Sequence, residues 1–578
     1  MSHYFLQNLI HSIMKPRILL AIFFLFSYSV WAQAPDLQWV RSFNGVYGDD
    51  ASSSIAVDGS GNVYTTGQFT GTVDFDPGSG DFTLTAAGQF DVFISKLNPS
   101  GNFEWAKRIG GNFYQGGLSI LLDASGNMYV LGYFYGAVDF DPGPAEQMLT
   151  ATDQDVFIMK LNPQGDLLWA KNVGGNGQDA GYSLLTDTLQ NVCVAGFYSG
   201  TGDFDPGTGV FNLTAVGARD IFVLKLDSYG DFQWAISVGG AGDDFGRSLD
   251  SDASGNLYIT GLFYGTVDFN PGAENSYLTS NGQNDAFILK LNEEGDFIWA
   301  KNIGGATNDG ALSIAVDAIG NVYTAGGYSD IVDFDPGAQL AYQVPVGSND
   351  SFILKLDSSG NFVWVRSLGG TANVNTYALN IDLYGNINAT GSFHETADFD
   401  PGQEVFNLTS DGLSDIFILR IDPSGNFVWG QRIGGEGFDR GVDIKTDASG
   451  SIYITGDFSN TCDFDPRDGI TNLTSAGFQD AFLLKLKASP TVDLREIYDQ
   501  LDMQIFPNPS EGLVAISLTN ITATYDLVLC DNTGRILIKT KASSPVNSID
   551  MSGFQPGIYH LIITTQNNHI SHSKLIRI

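Results

Sequence analysis

Aspartate is the residue whose type and spacing first suggest chemistry, because clustered carboxylates can bind calcium or cleave glycosidic bonds. The sequence Asp-Phe-Asp-Pro occurs six times, and Asp-Phe-Asn-Pro once, at intervals of 64 or 65 residues. The seven copies begin at Asp74, Asp139, Asp203, Asp268, Asp333, Asp398 and Asp463. Seven copies in one phase indicate a repeat array, so the role of these residues must be judged within the repeat.

Two further aspartates recur in each repeat, one in a Gly- or Asn-containing turn and one before an apolar strand. The first set is Asp58, Asp123, Asp187, Asp252, Asp317, Asp382 and Asp447; the second is Asp91, Asp155, Asp220, Asp285, Asp350, Asp415 and Asp480. Aspartate accepts backbone N–H bonds in turns, and this structural role is the favoured interpretation. Calcium binding is the alternative, with Asp74, Asp76, Asp91, Asp139, Asp141 and Asp155 as candidate ligands. Because no Asp-x-Asp-x-Asp-Gly loop is present, we expect no cofactor.

Catalytic signatures are sparse. The repeats contain one histidine, His394, which leaves no histidine cluster for zinc. A glycosidase-like carboxylate pair remains open because aspartate recurs throughout, but a catalytic site is unique whereas these aspartates repeat seven times. We therefore expect no enzyme and no catalytic residues, with a polysaccharide hydrolase or lyase as the alternative. The sixth repeat departs most from the others, at Val374, Asn388 and His394.

The elements that carry these residues are short strands. Ser54–Asp58 and Val63–Phe69 flank a Gly-Ser-Gly-Asn turn, and a long connection then leads to Val92–Leu97 and Phe103–Ile109. Four antiparallel strands per repeat are typical of a propeller blade. Tryptophan recurs in the fourth strand and is expected to pack between blades: Trp39, Trp105, Trp169, Trp234, Trp299, Trp364 and Trp429.

The two ends of the repeat array complement each other. The last repeat has its third strand, residues 481–486, but no tryptophan strand after it, whereas a lone tryptophan strand, residues 37–41, precedes the first repeat. The sequence therefore predicts an all-β, seven-bladed β-propeller whose N-terminal strand closes the last blade. Closure hides the sheet edges that the alternative, an open solenoid, would leave exposed.

Basic and sulfur-containing residues are expected to be structural. Each third strand holds one cation, which we expect to pair with a blade carboxylate: Lys96, Lys160, Lys225, Lys290, Lys355, Arg420 and Lys485. Cys193 and Cys462 replace apolar residues of other repeats, so we expect small buried side chains. With Cys530 they suggest no disulfide framework.

Two resemblances extend this interpretation. Residues 57–67 and 316–326, Val-Asp-Gly-Ser-Gly-Asn-Val-Tyr-Thr-Thr-Gly and Val-Asp-Ala-Ile-Gly-Asn-Val-Tyr-Thr-Ala-Gly, resemble the SBBP-type repeat, a relative of NHL-like propellers. That resemblance covers about residues 36–487 and implies a fold but no activity.

The C-terminal part resembles the sorting domain of type IX secretion cargo in Bacteroidetes. The matching segments are Phe506-Pro507-Asn508-Pro509, Gly512, Asp531–Arg535, Gln555–Tyr559 and Lys574–Ile578. The resemblance implies passage across the outer membrane by the type IX machinery, removal of the tail and possible anchoring to lipopolysaccharide. Its alternating polarity predicts a small β-sandwich of about seven strands.

Composition and the N-terminus fit export. Lys15, Arg17 and the apolar run that follows resemble a secretory signal, with predicted cleavage between Ala32 and Gln33, and Met14 is a second candidate start. The net charge of −37 argues against nucleic acid and anionic membranes as partners. The predicted domains are a signal peptide (1–32), the propeller (33–488), a linker (489–502) and the sorting domain (503–578).

The expected function is a secreted or surface-exposed, non-catalytic binding or adhesion scaffold for protein or carbohydrate. A structural surface protein is the third alternative.

Overall fold

The computed structural model describes residues 35–46, 48–467 and 469–487 and, in the C-terminal part, 503–577 with gaps at 507, 509, 511, 519–524, 532–535, 543–545 and 566–569. The predicted signal segment, the cleavage site at Ala32 and Gln33, and the predicted linker lie outside these residues. Every element in the described part is a β-strand, which confirms the all-β class. No helix there is long and apolar enough to cross a membrane.

The chain before residue 488 consists of seven units with the same antiparallel order of four strands. The first strands are Ala51–Val57, Gln115–Leu122, Ala180–Thr186, Phe245–Ser251, Gly310–Val316, Val374–Ile381 and Arg440–Thr446. The second strands are Val63–Phe69, Met128–Asp139, Val192–Tyr198, Leu257–Asp268, Val322–Tyr328, Ile387–Phe393 and Ile452–Phe458. The third strands are Asp91–Leu97, Met148–Leu161, Asp220–Leu226, Tyr277–Leu291, Asp350–Leu356, Asp415–Ile421 and Asp480–Lys487. The fourth strands are Phe103–Ile109, Leu167–Gly175, Phe232–Gly240, Phe297–Ile303, Phe362–Gly370, Phe427–Gly435 and, for unit 7, Asp36–Ser42.

The long connection between the second and third strands forms a small hairpin at the edge of each unit. In units 2 and 4 it continues the long second and third strands; in the other units it is separate. The separate pairs are Thr72–Asp74 with Thr83–Thr85, Thr201–Asp203 with Asn212–Thr214, Val332–Asp333 with Tyr342–Gln343, Thr396–Asp398 with Asn407–Thr409 and Thr461–Asp463 with Asn472–Thr474.

The N-terminal strand completes unit 7, as the sequence predicted. Asp36–Ser42 pairs antiparallel with Asp480–Lys487, with Trp39 opposite Lys485 and Val40 opposite Leu484. The chain then continues as Asn44–Val46, which pairs with Thr72–Asp74 of unit 1. One short segment therefore belongs to the sheets of both the last and the first unit.

Neighbouring units are joined by backbone hydrogen bonds at the start of the first strands. In every unit, the carbonyl of the residue before the third-strand aspartate accepts an N–H bond from the next unit. Between units 2 and 3, for example, the N–H of Asp179 donates to the carbonyl of Gln154 at 2.9 Å. The seventh bond, from the N–H of Asp50 to the carbonyl of Gln479 at 3.0 Å, joins unit 7 to unit 1. Each first strand also contacts the first strand of the next unit, and that of unit 7 contacts that of unit 1.

Both faces of each sheet are covered, which explains the continuous apolar runs of the middle strands. Asp350–Leu356 and Ile452–Phe458 are buried along their whole length. The hydrophobic clusters combine residues of adjacent units, and one of them joins Trp39 and Leu483 of unit 7 with Ile55 and Phe93 of unit 1. A single sheet could not bury two faces alone, so each unit depends on its neighbours.

The tryptophans lie between units, as predicted. The indole Nε1 of Trp39 donates to the carbonyl of Pro99 in unit 1 at 3.1 Å, and Trp169 and Trp364 make the same contact with the next unit's turn. The third-strand cations pair with first-turn carboxylates in four units, which confirms that prediction there: Lys160 with Asp123, Lys225 with Asp187, Lys290 with Asp252 and Arg420 with Asp382.

The cysteines of the repeat region are buried free thiols. Burial raises the pKa of Cys193 to about 12, so this side chain remains a protonated small hydrophobe. The Cys530 side chain lies outside the described part.

The C-terminal part has seven described strands in two sheets that share one hydrophobic cluster. One sheet contains Met503–Phe506, Leu513–Leu518 and Val546–Asp550, and the other contains Tyr525–Asp531, Ile536–Ala542, Gly557–Thr565 and Ile570–Arg577. Val514 and Ile516 of the first sheet join Leu527 and Leu561 of the second in that cluster. This arrangement agrees with the strand count expected from the sequence.

Trp39→Ala tests how strongly the N-terminal strand holds unit 7 to unit 1. Removing this buried indole should lower the free energy of unfolding by about 3–5 kcal/mol, because both packing and the bond to Pro99 are lost. Gln38→Ala, at the exposed neighbour in the same strand, should change stability by less than about 0.5 kcal/mol. Urea unfolding followed by tryptophan fluorescence measures both, and equal effects of the two changes would contradict the packing role.

Candidate functional site

The Asp-Phe-Asp-Pro aspartates fix the turn that contains them. Asp74 Oδ1 accepts the N–H groups of Asp76 at 3.0 Å and Phe82 at 2.9 Å, and Asp76 Oδ1 accepts that of Gly78 at 2.8 Å. Asp139 and Asp141 make the same bonds in unit 2. Four of the six calcium candidates therefore have the structural role that the sequence favoured.

The other two candidates, Asp91 and Asp155, are buried rather than part of an open cluster. Asp91 accepts the N–H of Ala87 and pairs with Arg108 at 2.7 Å. Asp155 accepts a bond from Asn172 at 3.2 Å and lies beside Asp179 of unit 3. Among the described residues, no group of three or more His, Cys, Asp or Glu side chains is arranged to hold a metal ion.

A glycine separates the carboxyl groups of Asp155 and Asp179. A Cβ atom on Gly174 would lie 2.7 Å from Asp155 Oδ1 and 2.7 Å from Asp179 Oδ2, so only glycine fits between them. Asp179 caps the backbone of its surroundings, since its Oδ2 accepts the N–H of Gly175 at 2.9 Å and its Oδ1 that of Ser199 at 3.0 Å. Both carboxyl groups are thus buried where units 2 and 3 meet.

The departures of unit 6 have local structural consequences. Asn388 replaces the tyrosine found in five of the other second strands, and there Arg420 pairs directly with Asp382. His394 and Glu395 border a groove of about 440 Å³ together with Asn373 and Ser348. This groove has no second histidine among its lining residues.

A different set of residues is brought together by a β-bulge that recurs in every first strand. The bulged residue lies five places before the first-turn aspartate, at a shift in register with the second strand. Bulges re-aim a side chain relative to a regular strand. The seven bulge residues are Ser53, Leu118, Tyr182, Arg247, Leu312, Tyr377 and Val442. Unlike the repeated aspartates, they include five residue types, so they form an asymmetric set.

Five of the bulge residues line one cavity of about 610 Å³ between the first strands of units 1, 2, 3, 6 and 7. The ends of the second strands and the starts of the first and third strands complete its wall. The aromatic residues that line it are Tyr114, Tyr133, Tyr135, Tyr182, Phe197 and Tyr377, and its polar residues include Gln68, Gln154, Arg440 and Asp457. An apolar wall with a few convergent polar groups is typical of a ligand site.

The tyrosine hydroxyls form a connected polar patch in this cavity. Tyr135 donates to Oε1 of Gln154 at 2.6 Å, and the hydroxyl of Tyr133 lies 3.4 Å from Oε1 of Gln68. Burial, with the neighbouring hydroxyls of Tyr135 and Tyr182, raises the pKa of Tyr133. The Tyr133 hydroxyl therefore stays protonated near neutral pH and can donate or accept hydrogen bonds.

The one carboxylate in the lining is already engaged. Asp457 is 1% exposed and accepts two bonds from Arg440, at 2.9 Å from Nη2 to Oδ1 and 3.2 Å from Nε to Oδ2. The pair lies across adjacent strands of unit 7. A forked arginine–carboxylate contact fixes both side chains and leaves a rigid polar corner in the wall.

Sequence reasoning missed this cavity because it followed the residues that repeat. The signal that could have found it is a position of fixed phase at which the residue type changes from repeat to repeat. Within a repeat array, such a position is free of the packing demands that the repeated residues meet.

Comparison with known proteins identifies the C-terminal part. Residues 504–577 match the family of secretion system C-terminal sorting domains. The chain is thus an exported protein that the type IX secretion machinery handles, and its location is extracellular or on the outer-membrane surface. The predicted localisation is confirmed.

The repeat region has more distant similarities. An uncharacterized WD repeat-containing protein, L264, of Acanthamoeba polyphaga mimivirus is 23% identical over 454 residues, 67% of this chain and 33% of that protein. The chain therefore spans about a third of that relative's length. A fungal alcohol oxidase of the AA5 family in complex with copper aligns over 94% of this chain and all of its own, with 14% identity and a TM-score of 0.37. PorZ, a surface component of the type IX secretion system of Porphyromonas gingivalis, aligns over 93% of this chain and all of its own, with 12% identity and a TM-score of 0.18. Such TM-scores do not establish a shared fold.

The buried aspartates between units predict a stability that decreases with rising pH. Burial raises the pKa of Asp50 to about 8 and that of Asp179, Asp244 and Asp439 to about 7, against about 3.9 in an unfolded chain. Between these values the folded protein binds more protons, so the free energy of unfolding falls as pH rises, by at most about 1.4 kcal/mol per pH unit for each group. Asp58 differs from these groups. Burial acts to raise its pKa, but hydrogen bonds, chiefly from Asn62, lower it overall, so the titration of Asp58 affects stability only at lower pH.

Urea midpoints at pH 5.5, 7.0 and 8.5, measured with EDTA, should therefore decrease in that order. Asp50→Asn, which keeps the size and removes the titration, should give a shallower dependence than the unaltered protein. Midpoints that rise with pH would show that the buried pairs are stabilised in their ionised form.

Proposed function

We propose that residues 35–487 form a closed seven-bladed β-propeller of the SBBP type. Three observations support closure: the pairing of Asp36–Ser42 with Asp480–Lys487, the pairing of Asn44–Val46 with Thr72–Asp74, and the hydrogen bond from Asp50 to Gln479. The cavity supports it as well, because units 1, 2, 3, 6 and 7 contribute to one wall. In this arrangement the first strands surround an axis and the bulge residues face it.

We infer that this exported propeller is a non-catalytic binding protein that takes a saccharide into the cavity of its first strands. The observation that carries the proposal is the aromatic and asymmetric lining of this cavity, to which Tyr182 and Tyr377 contribute from bulges and Tyr133 from a second strand. Tyrosine rings pack against the apolar C–H face of a pyranose, while their hydroxyls and nearby amides meet its hydroxyl groups. A cavity of about 610 Å³ lies within the size range of small-molecule sites.

The binding role is favoured over hydrolysis by the state of the only carboxylate in the described cavity wall. A glycosidase needs two carboxyl groups on either side of the scissile bond. Asp457 is held by Arg440, and the lining contains no second Asp or Glu among the described residues. The alternative of a polysaccharide hydrolase or lyase predicts shortened products from a glycan, and the alternative of a structural surface protein predicts no binding.

Tyr182→Ala should weaken saccharide binding at least tenfold while leaving the unfolding midpoint close to that of the unaltered protein, because one bulge side chain stacks on the ligand. Tyr229→Ala is the matched control, since Tyr229 is 75% exposed in a third–fourth strand turn outside the cavity. A glycan array with the mature chain selects the ligand, and calorimetry measures both variants. Equal loss in both variants, or binding to no glycan, would refute the cavity site; chromatography of the incubated glycan detects cleavage.

Removal of residues 503–578 should stop passage across the outer membrane. It should not unfold the repeat region, because the sorting domain has a hydrophobic cluster of its own. The truncated chain should accumulate in the periplasm, whereas the intact chain reaches the cell surface or the medium. Cell fractionation with an antibody to the repeat region measures this. Surface delivery of the truncated chain would contradict the sorting role of the tail.

A further inference from the structure

Arg247 occupies the bulge position of unit 4, next to the aromatic wall of the cavity. Its guanidinium carbon lies 4.3 Å from the centre of the Tyr182 ring and 5.2 Å from that of Phe245. Tyr182 itself lines the cavity. The guanidinium therefore lies on the faces of two rings, of which Tyr182 belongs to the cavity lining, and an arginine held on aromatic faces keeps its N–H donors free for a planar partner.

Arg247 also differs from every other arginine of the repeat region. Nine arginines lie between residues 35 and 487. Eight of them make ion pairs or donate to backbone carbonyls: Arg41, Arg108, Arg219, Arg366, Arg420, Arg432, Arg440 and Arg467. Arg247 makes no hydrogen bond or ion pair with any described residue, and its Nε is buried without a partner there. In a chain with 65 acidic and 28 basic residues, this is an unusual state.

The other two arginines near the cavity already have partners, so Arg247 is the arginine whose N–H groups have none among the described residues. Arg440 is held by Asp457, and Arg219 lies 3.5 Å from Asp243 and donates to Gln178. The net charge of −37 does not prevent an anion from approaching, because salt screens exposed charges beyond about 8 Å at physiological ionic strength. The local chemistry of the cavity wall then decides what it accepts.

We propose that the saccharide bound in the cavity carries a carboxylate, as a uronic acid does, and that Arg247 binds this carboxylate through two parallel N–H bonds while Tyr182 stacks on a sugar ring. A planar guanidinium matches a planar carboxylate in this way, through its two terminal nitrogens. The inference rests on the saccharide site proposed above and names its ligand class.

The test compares oligogalacturonate with a neutral galacto-oligosaccharide of equal length by calorimetry on the full mature chain. We expect the acidic sugar to bind at least tenfold more tightly. Arg247→Gln should reduce its affinity at least tenfold and that of the neutral sugar less than twofold. Arg247→Lys should restore only part of the loss, because a lysine cannot form the fork. Lys301→Gln is the control for net charge, since Lys301 lies over Trp299 outside the cavity lining.

Four results would overturn the proposal. Equal affinity for the two sugars, with no effect of Arg247→Gln, leaves the saccharide site in place but removes the carboxylate from its ligand. Equal loss for both sugars in a variant with an altered thermal midpoint shows that Arg247 supports the wall only. Binding of poly-glutamate as tight as that of oligogalacturonate shows that the site reads an acidic peptide, and binding of neither sugar refutes the saccharide site itself.

Discussion

The repeat region depends on one segment of eleven residues at its N-terminal end, residues 36–46. Its first part completes the sheet of unit 7, and its second part pairs with the edge hairpin of unit 1. Without it, the third strand of unit 7 would have an unpaired edge, and the cluster that joins Trp39 to Phe93 would be open to water. Because these bonds join residues far apart in sequence, folding must meet the loop-closure entropy of bringing the two ends together, and no local sequence preference offsets it.

Repeated and variable positions have different roles: the repeated residues hold neighbouring units together, and the variable residues line the cavity. The aspartates, tryptophans and third-strand cations recur because each unit meets its neighbour through the same turn, ring and ion-pair contacts, as Asp74, Trp39 and Lys160 illustrate. The bulge residues meet no such demand, since a bulge leaves its residue out of the strand register. Because the repeated residues hold neighbouring units together, a bulge can carry Ser, Tyr or Arg while the hydrophobic core between the units stays the same.

The sequence allowed the strands, their order, the N-terminal strand of unit 7 and the turn role of Asp74 and Asp139 to be predicted, because each follows from a local pattern that recurs. It did not reveal that Asp155 and Asp179 are buried together, since they are 24 residues apart and meet only when two units pack. The same holds for Tyr182 and Tyr377 in the cavity wall. Sites made between units have no spacing of their own in the sequence.

This origin of the site links binding to closure. Tyr182 and Leu118 belong to units near the N-terminal end, and Arg440 and Asp457 belong to the last unit, so the wall requires these units to lie together. A ligand that bridges them would bind only this packed state and would stabilise it by mass action, by about 2.7 kcal/mol at a hundredfold excess over Kd. The buried carboxyl groups between units act at the same contacts, because burial there raises the pKa of Asp50 and of Asp179. Ligand and proton therefore favour the same packed state of the units through different contacts, the ligand through the variable residues and the proton through the repeated ones.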